Sequence, residues 1–142
     1  TVLLAFFGRK SLLWTLSFMM SIDLVVLGYG FINEIAVLEI TLIMVFIVLF
    51  EFSLGPILWI YMSETMTEKG VSLGTLVNWI FTIIMALITP TLIDQIGGWL
   101  FITYGGICFI CGMFSLIIVK ETKGLSNAEV AVLYCKDKNP FA

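Results

Sequence analysis

Residues 100–119 read LFITYGGICFICGMFSLIIV, a stretch that contains no charged side chain. The hydrocarbon core of a bilayer is about 30 Å thick, and a helix needs about 20 apolar residues to cross it. Lipid offers no hydrogen-bond partner to an unpaired backbone group, so a segment of this kind must be helical. The stretch therefore predicts a transmembrane helix.

Three more runs of similar length precede it, at 11–32, 35–60 and 73–93, and residues 1–7 resemble the last turns of an earlier span. The expected fold is an all-α membrane protein with four transmembrane helices and the end of a preceding span. We divide the chain into three parts. Residues 1–10 are the end of that span with a basic loop, residues 11–119 form a four-span bundle, and residues 120–142 form a tail.

The composition excludes several classes of protein. Of 142 residues, 61% are hydrophobic and 12% are charged, whereas soluble domains contain about 45–50% apolar and about 25% charged residues. The formal net charge of −3 leaves no basic surface for nucleic acid. Histidine is absent, which removes the most common general base and metal ligand. We therefore expect no enzyme, no metal site and no cofactor.

The cysteines add little to this assignment. Cys108 and Cys111 form a CxxC pattern inside an apolar run, without further ligands nearby, and are interpreted as packed thiols. A redox or quinone-binding subunit would rest on this pair alone.

The basic residues predict the orientation of the chain in the membrane. With four spans, 1–10, 63–72 and 120–142 lie on one side, and 33–34 and 94–99 lie on the other. All seven basic residues fall on the first side, which is predicted to be cytoplasmic. In the tail, Ser126 and Glu129 form a capping-box pattern that predicts a short helix through Val130 to about Tyr134.

Polar residues within spans need a reason, because a charge at the bilayer centre costs about 2.5–3.5 kcal/mol on insertion scales. Glu51 is followed by Gly55, Pro56 and Trp59, and the proline predicts a bend or opening of the helix. A carboxylate accepts hydrogen bonds from sugar hydroxyls and an indole stacks on a pyranose ring, so this face suits a sugar. A structural glutamate beside a proline kink is the alternative.

Two further polar sites lie in other spans. Asn78 and Trp79 pair an amide with a second indole, which suits a sugar site or an interhelical hydrogen bond. Asp23 lies mid-span and suits proton coupling, a buried pair or a contact with a missing helix.

Several short motifs occur in a fixed order along the chain. They are Gly8-Arg9-Lys10, Phe50-Glu51, Gly55-Pro56-Ile57-Leu58-Trp59, Ser63-Glu64, Val77-Asn78-Trp79 and Glu121-Thr122-Lys123-Gly124. This set resembles the C-terminal half of sugar porters of the major facilitator superfamily. The resemblance implies that the four spans are the last four of a twelve-helix transporter fold.

The resemblance also implies roles for individual residues. Glu51, Trp59 and Asn78 match positions that contact the sugar, Phe50 and Gly55 would line the same wall, and Trp79 would lie close by. A second set, Arg9, Glu64 and Glu121, matches a cytoplasmic charge network that joins the two halves of the transporter in one state. Asp23 stands where the family is normally uncharged, and the connection after Glu64 is shorter than usual.

The function expected from this resemblance is transmembrane transport of a hexose-like monosaccharide by alternating access. The expected partners are the monosaccharide, the lipid bilayer, and the missing N-terminal half of the transporter or partner membrane subunits. A truncated, porter-like structural subunit without transport activity is the alternative. The plasma membrane is the expected location, and an organellar membrane is the alternative.

Overall fold

The computed structural model describes residues 8–52, 54–125, 129, 130 and 132. These residues form helices joined by short turns, with no strand among them. The helices are α1 (Arg9–Ile32), α2 (Ala36–Phe52), α3 (Leu54–Thr65), α4 (Glu68–Ile96) and α5 (Trp99–Ile117). Four segments are long and apolar enough to cross a membrane, with Ala36–Thr65 counted as one of them. The predicted all-α fold with four spans is thereby confirmed.

The helices extend beyond the apolar runs that predicted them. Residues 63–72, which connect the second and third apolar runs, are mostly helical, and only Met66 and Thr67 separate α3 from α4. The Val71 amide donates to the Thr67 carbonyl at 2.9 Å, so the helical hydrogen bonds start before the apolar run does. Hydropathy locates the part of a helix that crosses lipid, whereas backbone hydrogen bonding continues into polar residues at its end.

Two local predictions reach residues that the structure does not describe. The bend predicted at Pro56 depends on the backbone around Ser53, which lies outside the described residues. In the tail, Glu129, Val130 and Val132 are helical, in agreement with the predicted short helix. The proposed capping residue Ser126, the end of that helix near Tyr134, and residues 1–7 also lie outside them.

The closest helix contact joins α1 and α5 through small residues. Glycines occur at every seventh position of the segment that contains α5, at Gly98, Gly105 and Gly112. A Cβ atom on Gly105 would lie 2.9 Å from Val25 Cγ2 and 3.0 Å from the Ser21 carbonyl oxygen. Small residues of this kind let membrane helices approach until their backbones touch.

Polar and aromatic contacts extend along the same α1–α5 seam. The Ser21 hydroxyl donates to the Gly105 carbonyl at 2.8 Å, which satisfies a buried polar group between the helices. The rings of Phe18 and Phe109 lie 5.2 Å apart near one end of the seam. At the other end, the rings of Phe31 and Phe101 lie 5.6 Å apart. The two helices are therefore antiparallel and in contact along most of their length.

A second apolar cluster holds the first part of α1 against α3. Its buried residues are Leu12, Leu13 and Ile57, and Val119 packs against them from the segment that follows α5. We call this end of the bundle, which contains Arg9, the basic end.

In contrast, α4 and most of α2 are uncovered, and α2 packs on α1 along one side only. Neither contains a buried residue. The apolar side chains on these open surfaces can pack against lipid or against further protein. The compact part of the structure is therefore α1 with α5, and α2 and α4 present open surfaces.

The α1–α5 seam makes a prediction for paired glycines. In the full-length protein, Gly105→Val should lower stability by about 1–3 kcal/mol, because the new side chain overlaps Val25 and Ser21. Gly106→Val is the matched control, since a Cβ atom on Gly106 would meet nothing within 4 Å. Thermal unfolding of the purified proteins in detergent measures both changes. Equal loss of stability in the two variants would contradict the close seam.

Candidate functional site

The predicted sugar-contacting residues lie on three helices, and we call them the polar–aromatic wall. Phe50 and Glu51 end α2, Gly55 and Trp59 lie on α3, and the remaining pair lies on α4. The members are Phe50, Glu51, Gly55, Trp59, Asn78 and Trp79.

The α2–α3 part of the wall is open. Phe50 is 42% exposed and Trp59 is 37% exposed, and Glu51 is also exposed. The Phe50 ring stacks on Phe46 with an interplanar angle of 18°. A Cβ atom on Gly55 would lie 3.2 Å from the Phe50 carbonyl oxygen and 3.7 Å from its ring, so glycine leaves this side of Phe50 unobstructed.

The α4 part of the wall lies at one end of a surface groove. Asn78 is exposed, Trp79 is 57% exposed, and the groove has a volume of about 700 Å³. The residues that line it all belong to α4: Asn78, Phe81, Thr82, Met85, Ala86, Thr89, Pro90 and Ile93. Further along this helix, the Thr89 hydroxyl is hydrogen-bonded to the Tyr104 hydroxyl of α5 at 2.9 Å.

The polar groups of the wall have no side-chain hydrogen-bond partners in the described part of the chain. Neither the Glu51 carboxylate nor the Asn78 side-chain amide forms a hydrogen bond with another described residue. A carboxylate, an amide and indoles that face outward from apolar spans require a polar ligand or further protein to cover them. The structure thus leaves these polar groups exposed on their helices.

The predicted charge network is assembled at the basic end. The Arg9 guanidinium donates to Glu64 Oε1 at 3.0 Å, and these side chains are 20% and 22% exposed. The other Glu64 oxygen accepts a hydrogen bond of 2.6 Å from the Thr122 hydroxyl. Thr122 is only 2% exposed, so this contact is shielded from water. The structure therefore brings Arg9 and Glu64 together with the segment that follows α5.

Glu121 completes the network by capping the start of α1. Its carboxylate accepts the backbone N–H groups of Arg9 at 2.8 Å and Lys10 at 3.2 Å. These are among the amides that have no partner within the helix, at the positive end of its dipole. Gly8 makes this contact possible, because a Cβ atom at that position would overlap the Glu121 carboxylate.

Three contributors to this cluster were not predicted from the sequence. Thr122 and Gly8 belong to the motifs that carry the family resemblance, although that resemblance assigned them no contacts. Tyr61 was missed entirely: its hydroxyl donates to the Lys120 carbonyl at 3.1 Å and accepts from the Lys120 amide at 3.2 Å. Tyr61 lies one turn before Thr65 on α3, and nothing in the sequence around it indicated a contact with Lys120.

The remaining candidates lie elsewhere. Asp23 lies in α1 beside a groove formed with α2, and it is 6% exposed. Cys108 is half-buried and Cys111 is exposed, and both are free thiols. Cys135 lies outside the described residues. Within the part of the chain that was described, no group of three or more metal-ligating side chains occurs.

Comparisons with known proteins give consistent results. The family model described as "Sugar (and other) transporter" matches residues 1–134. The chain is 34% identical to "Probable polyol transporter 6" of Arabidopsis thaliana over 96% of its own length and 31% of that protein. It is 32% identical to "Facilitated trehalose transporter Tret1" of Drosophila willistoni over 87% of its own length and 16% of that protein.

A further relative is "Hexose transporter 1" of Plasmodium knowlesi, which is 36% identical over 61% of this chain and 18% of its own length. The chain spans less than a third of each of these three relatives. No solved structure matches it significantly.

The charge cluster makes a prediction for Thr122. In the full-length protein, Thr122→Val should lower stability by about 1–3 kcal/mol, because a buried hydrogen bond to a charged acceptor is lost without a change in side-chain size. Thr122→Ser keeps the hydroxyl and should stay close to the wild type. Thermal unfolding in detergent measures both variants, and an unchanged midpoint for Thr122→Val would show that the bond contributes nothing.

Proposed function

The chain belongs to the sugar (and other) transporter family, and we propose that it forms the last four spans of a transporter that carries a hexose-like monosaccharide by alternating access. It is an integral, multi-pass membrane protein, and the relatives described above are transporters and not enzymes. The assignment to the C-terminal part of a longer transporter is supported by the order of the motifs from Gly8-Arg9-Lys10 to Glu121-Thr122-Lys123-Gly124.

The observation that carries this proposal is the open polar–aromatic wall. Glu51, Asn78 and Trp59 are exposed on spans that are otherwise apolar, and they offer an acceptor, an amide and an aromatic face. A sugar presents hydroxyl groups around an apolar ring face, so these three chemistries match it. Binding pockets combine apolar walls with a few placed polar groups in this way.

The rest of the transporter would supply the opposite wall. In transporters built from related halves, the substrate binds near the middle of the membrane, between two bundles that rock against each other. The uncovered surfaces of α2 and α4 leave room for such a second bundle. In this proposal the remaining protein is the missing N-terminal half of the transporter, which covers the polar–aromatic wall from the other side.

The charge network would act as a latch between the two halves. Arg9 Nε is buried and has no hydrogen-bond partner among the described residues, so the guanidinium has capacity for one more acceptor. We assign that acceptor to the N-terminal half, in the state that is closed at the basic end. The network would thereby bias a two-state equilibrium. The basic end would face the cytoplasm, with the plasma membrane as the location.

Uptake by the full-length protein in liposomes tests the wall. Radiolabelled hexose should enter saturably, and Glu51→Gln and Trp59→Ala should each lower uptake by about tenfold or more, which corresponds to one lost charged hydrogen bond or stacking contact. Glu39→Gln on the same helix as Glu51, and Trp99→Ala at the start of α5, are matched controls that should transport normally.

The controls also define the contrary result. If uptake falls equally in the wall variants and in the controls, the wall is not part of the binding site. If intact, oriented protein takes up neither hexose, polyol nor trehalose, the transport proposal fails. A structural subunit of a larger membrane assembly would then account for the helix bundle better.

A further inference from the structure

One face of α3 holds the chain that follows α5. Ile57, Tyr61 and Glu64 are spaced by four and three residues, which places them within about 60° of one another around the helix axis. The non-helical residues 119–122 lie along this face, and we call them the strap. Val119 begins the strap and packs on the apolar cluster that contains Ile57.

Tyr61 binds the strap through the backbone of the strap. The Tyr61 hydroxyl donates to the Lys120 carbonyl at 3.1 Å and accepts from the Lys120 amide at 3.2 Å. Lys120 follows the end of α5 at Ile117, so its backbone groups lie outside the hydrogen-bond pattern of that helix. The contact is partly buried and uses no charged group, in contrast to the pair of Arg9 with Glu64.

The Tyr61 contact fixes the register of the strap on α3. Glu64 lies three residues after Tyr61 on the helix. Thr122 lies two residues after Lys120 in the strap, and its hydroxyl donates to Glu64 at 2.6 Å. A slip of the strap by one residue would move it by about 3.5 Å, which is enough to break that hydrogen bond. Between these two contacts, the Glu121 carboxylate reaches the first amides of α1.

The opposite face of α3 belongs to the polar–aromatic wall. Trp59 lies two residues before Tyr61, which is about 200° around the helix axis. The helix therefore lies between the wall and the strap. Because α3 is a continuous helix of 12 residues, a displacement of Trp59 also displaces whatever is bound to the face that carries Tyr61.

We propose that Tyr61 is a positioning residue that couples the polar–aromatic wall to the charge network. The inference rests on the proposed sugar transport and specifies how occupancy of the wall is communicated to the basic end. A sugar that draws Trp59 toward itself moves α3, and Tyr61 makes the strap move with that helix.

The movement of the strap acts on the start of α1. This helix is joined to α5 along most of its length and meets α3 at one end, so it does not follow α3. The Glu121 carboxylate is then pulled from the amides of Arg9 and Lys10. Without the Tyr61 hydroxyl, α3 can move while the strap stays on α1. Sugar binding and release of the network would then be uncoupled.

Hydrogen–deuterium exchange of the full-length protein in detergent tests this coupling, because it measures the amides of Arg9, Lys10 and Lys120. In the wild type, D-glucose should raise the exchange rates of the strap and of the first turn of α1 together, and L-glucose should change neither. Counterflow of labelled D-glucose in liposomes measures transport separately.

Tyr61→Phe should uncouple the two ends of α3. The Lys120 amide should exchange about tenfold faster without sugar, the factor expected for lost neutral hydrogen bonds. D-glucose should no longer change the exchange rate of the first turn of α1. It should bind as tightly as in the wild type or more tightly, since binding no longer has to break the network. A damaged binding site would instead bind D-glucose more weakly.

Tyr104→Phe is the matched control. It also removes a partly buried tyrosine hydroxyl from an interhelical contact, the 2.9 Å hydrogen bond to Thr89. Tyr104 lies about 20 Å along the axis of α5 from its last residue, Ile117, at 1.5 Å per residue. This variant should lose comparable stability and keep the response of α1 to D-glucose.

Each contrary result has a distinct meaning. If the wild type shows counterflow but D-glucose leaves the exchange rate of the first turn of α1 unchanged, the coupling is overturned and sugar transport stands. A response to D-glucose that persists in Tyr61→Phe, or that is lost equally in Tyr104→Phe, also overturns the role of Tyr61. The absence of counterflow in the wild type overturns the proposed function itself.

Discussion

The contact between α1 and α5 is the interaction on which the rest of this structure depends. In a bilayer there is no hydrophobic force between helices, so close packing and interhelical hydrogen bonds must hold them together. The glycines at 98, 105 and 112 remove side chains along one stripe, and the Ser21 hydroxyl reaches the Gly105 carbonyl. With these two helices joined, the basic residues at the start of α1 are brought to the acidic and hydroxyl groups that follow α5.

The charge network at the basic end and the polar–aromatic wall are stabilised differently. At the basic end, the charges are paired within the chain: Arg9 with Glu64, and Glu121 with the first amides of α1. In the apolar spans, the polar groups of the wall form no side-chain hydrogen bond with another described residue and are exposed. Asp23 differs from both sets, because it is enclosed by apolar side chains on its own chain.

The fold was predictable from hydropathy, since four uncharged or nearly uncharged runs can only be spans. The glycine repeat around α5 was visible in the sequence, but its partner could not be known, because the register of Ser21 and Val25 against it is a three-dimensional property. The ends of α4 were not predicted, since hydropathy gives only the apolar part of a helix and hydrogen bonding carries the helix past the lipid boundary. The pairing of Arg9 and Glu64 followed from family resemblance, and elementary chemistry alone would not have joined groups so distant in sequence. No feature of the sequence indicated the contacts that Tyr61 forms with Lys120. The roles of the wall residues stay predictions, because nothing among the described residues shows what their exposed side chains contact.

The cap on α1 has a consequence for biosynthesis. The carboxylate that satisfies its first amides comes from Glu121, 112 residues later in the chain than Arg9. A ribosome that has delivered α1 to the membrane must still make every following span before that carboxylate exists. The first turn of α1 is therefore completed last, and chain synthesis must reach the tail before the bundle can close. A chain that stops short of Glu121 would leave those amides to water, and its first helix would lack the contact that ties its start to the segment after the last span.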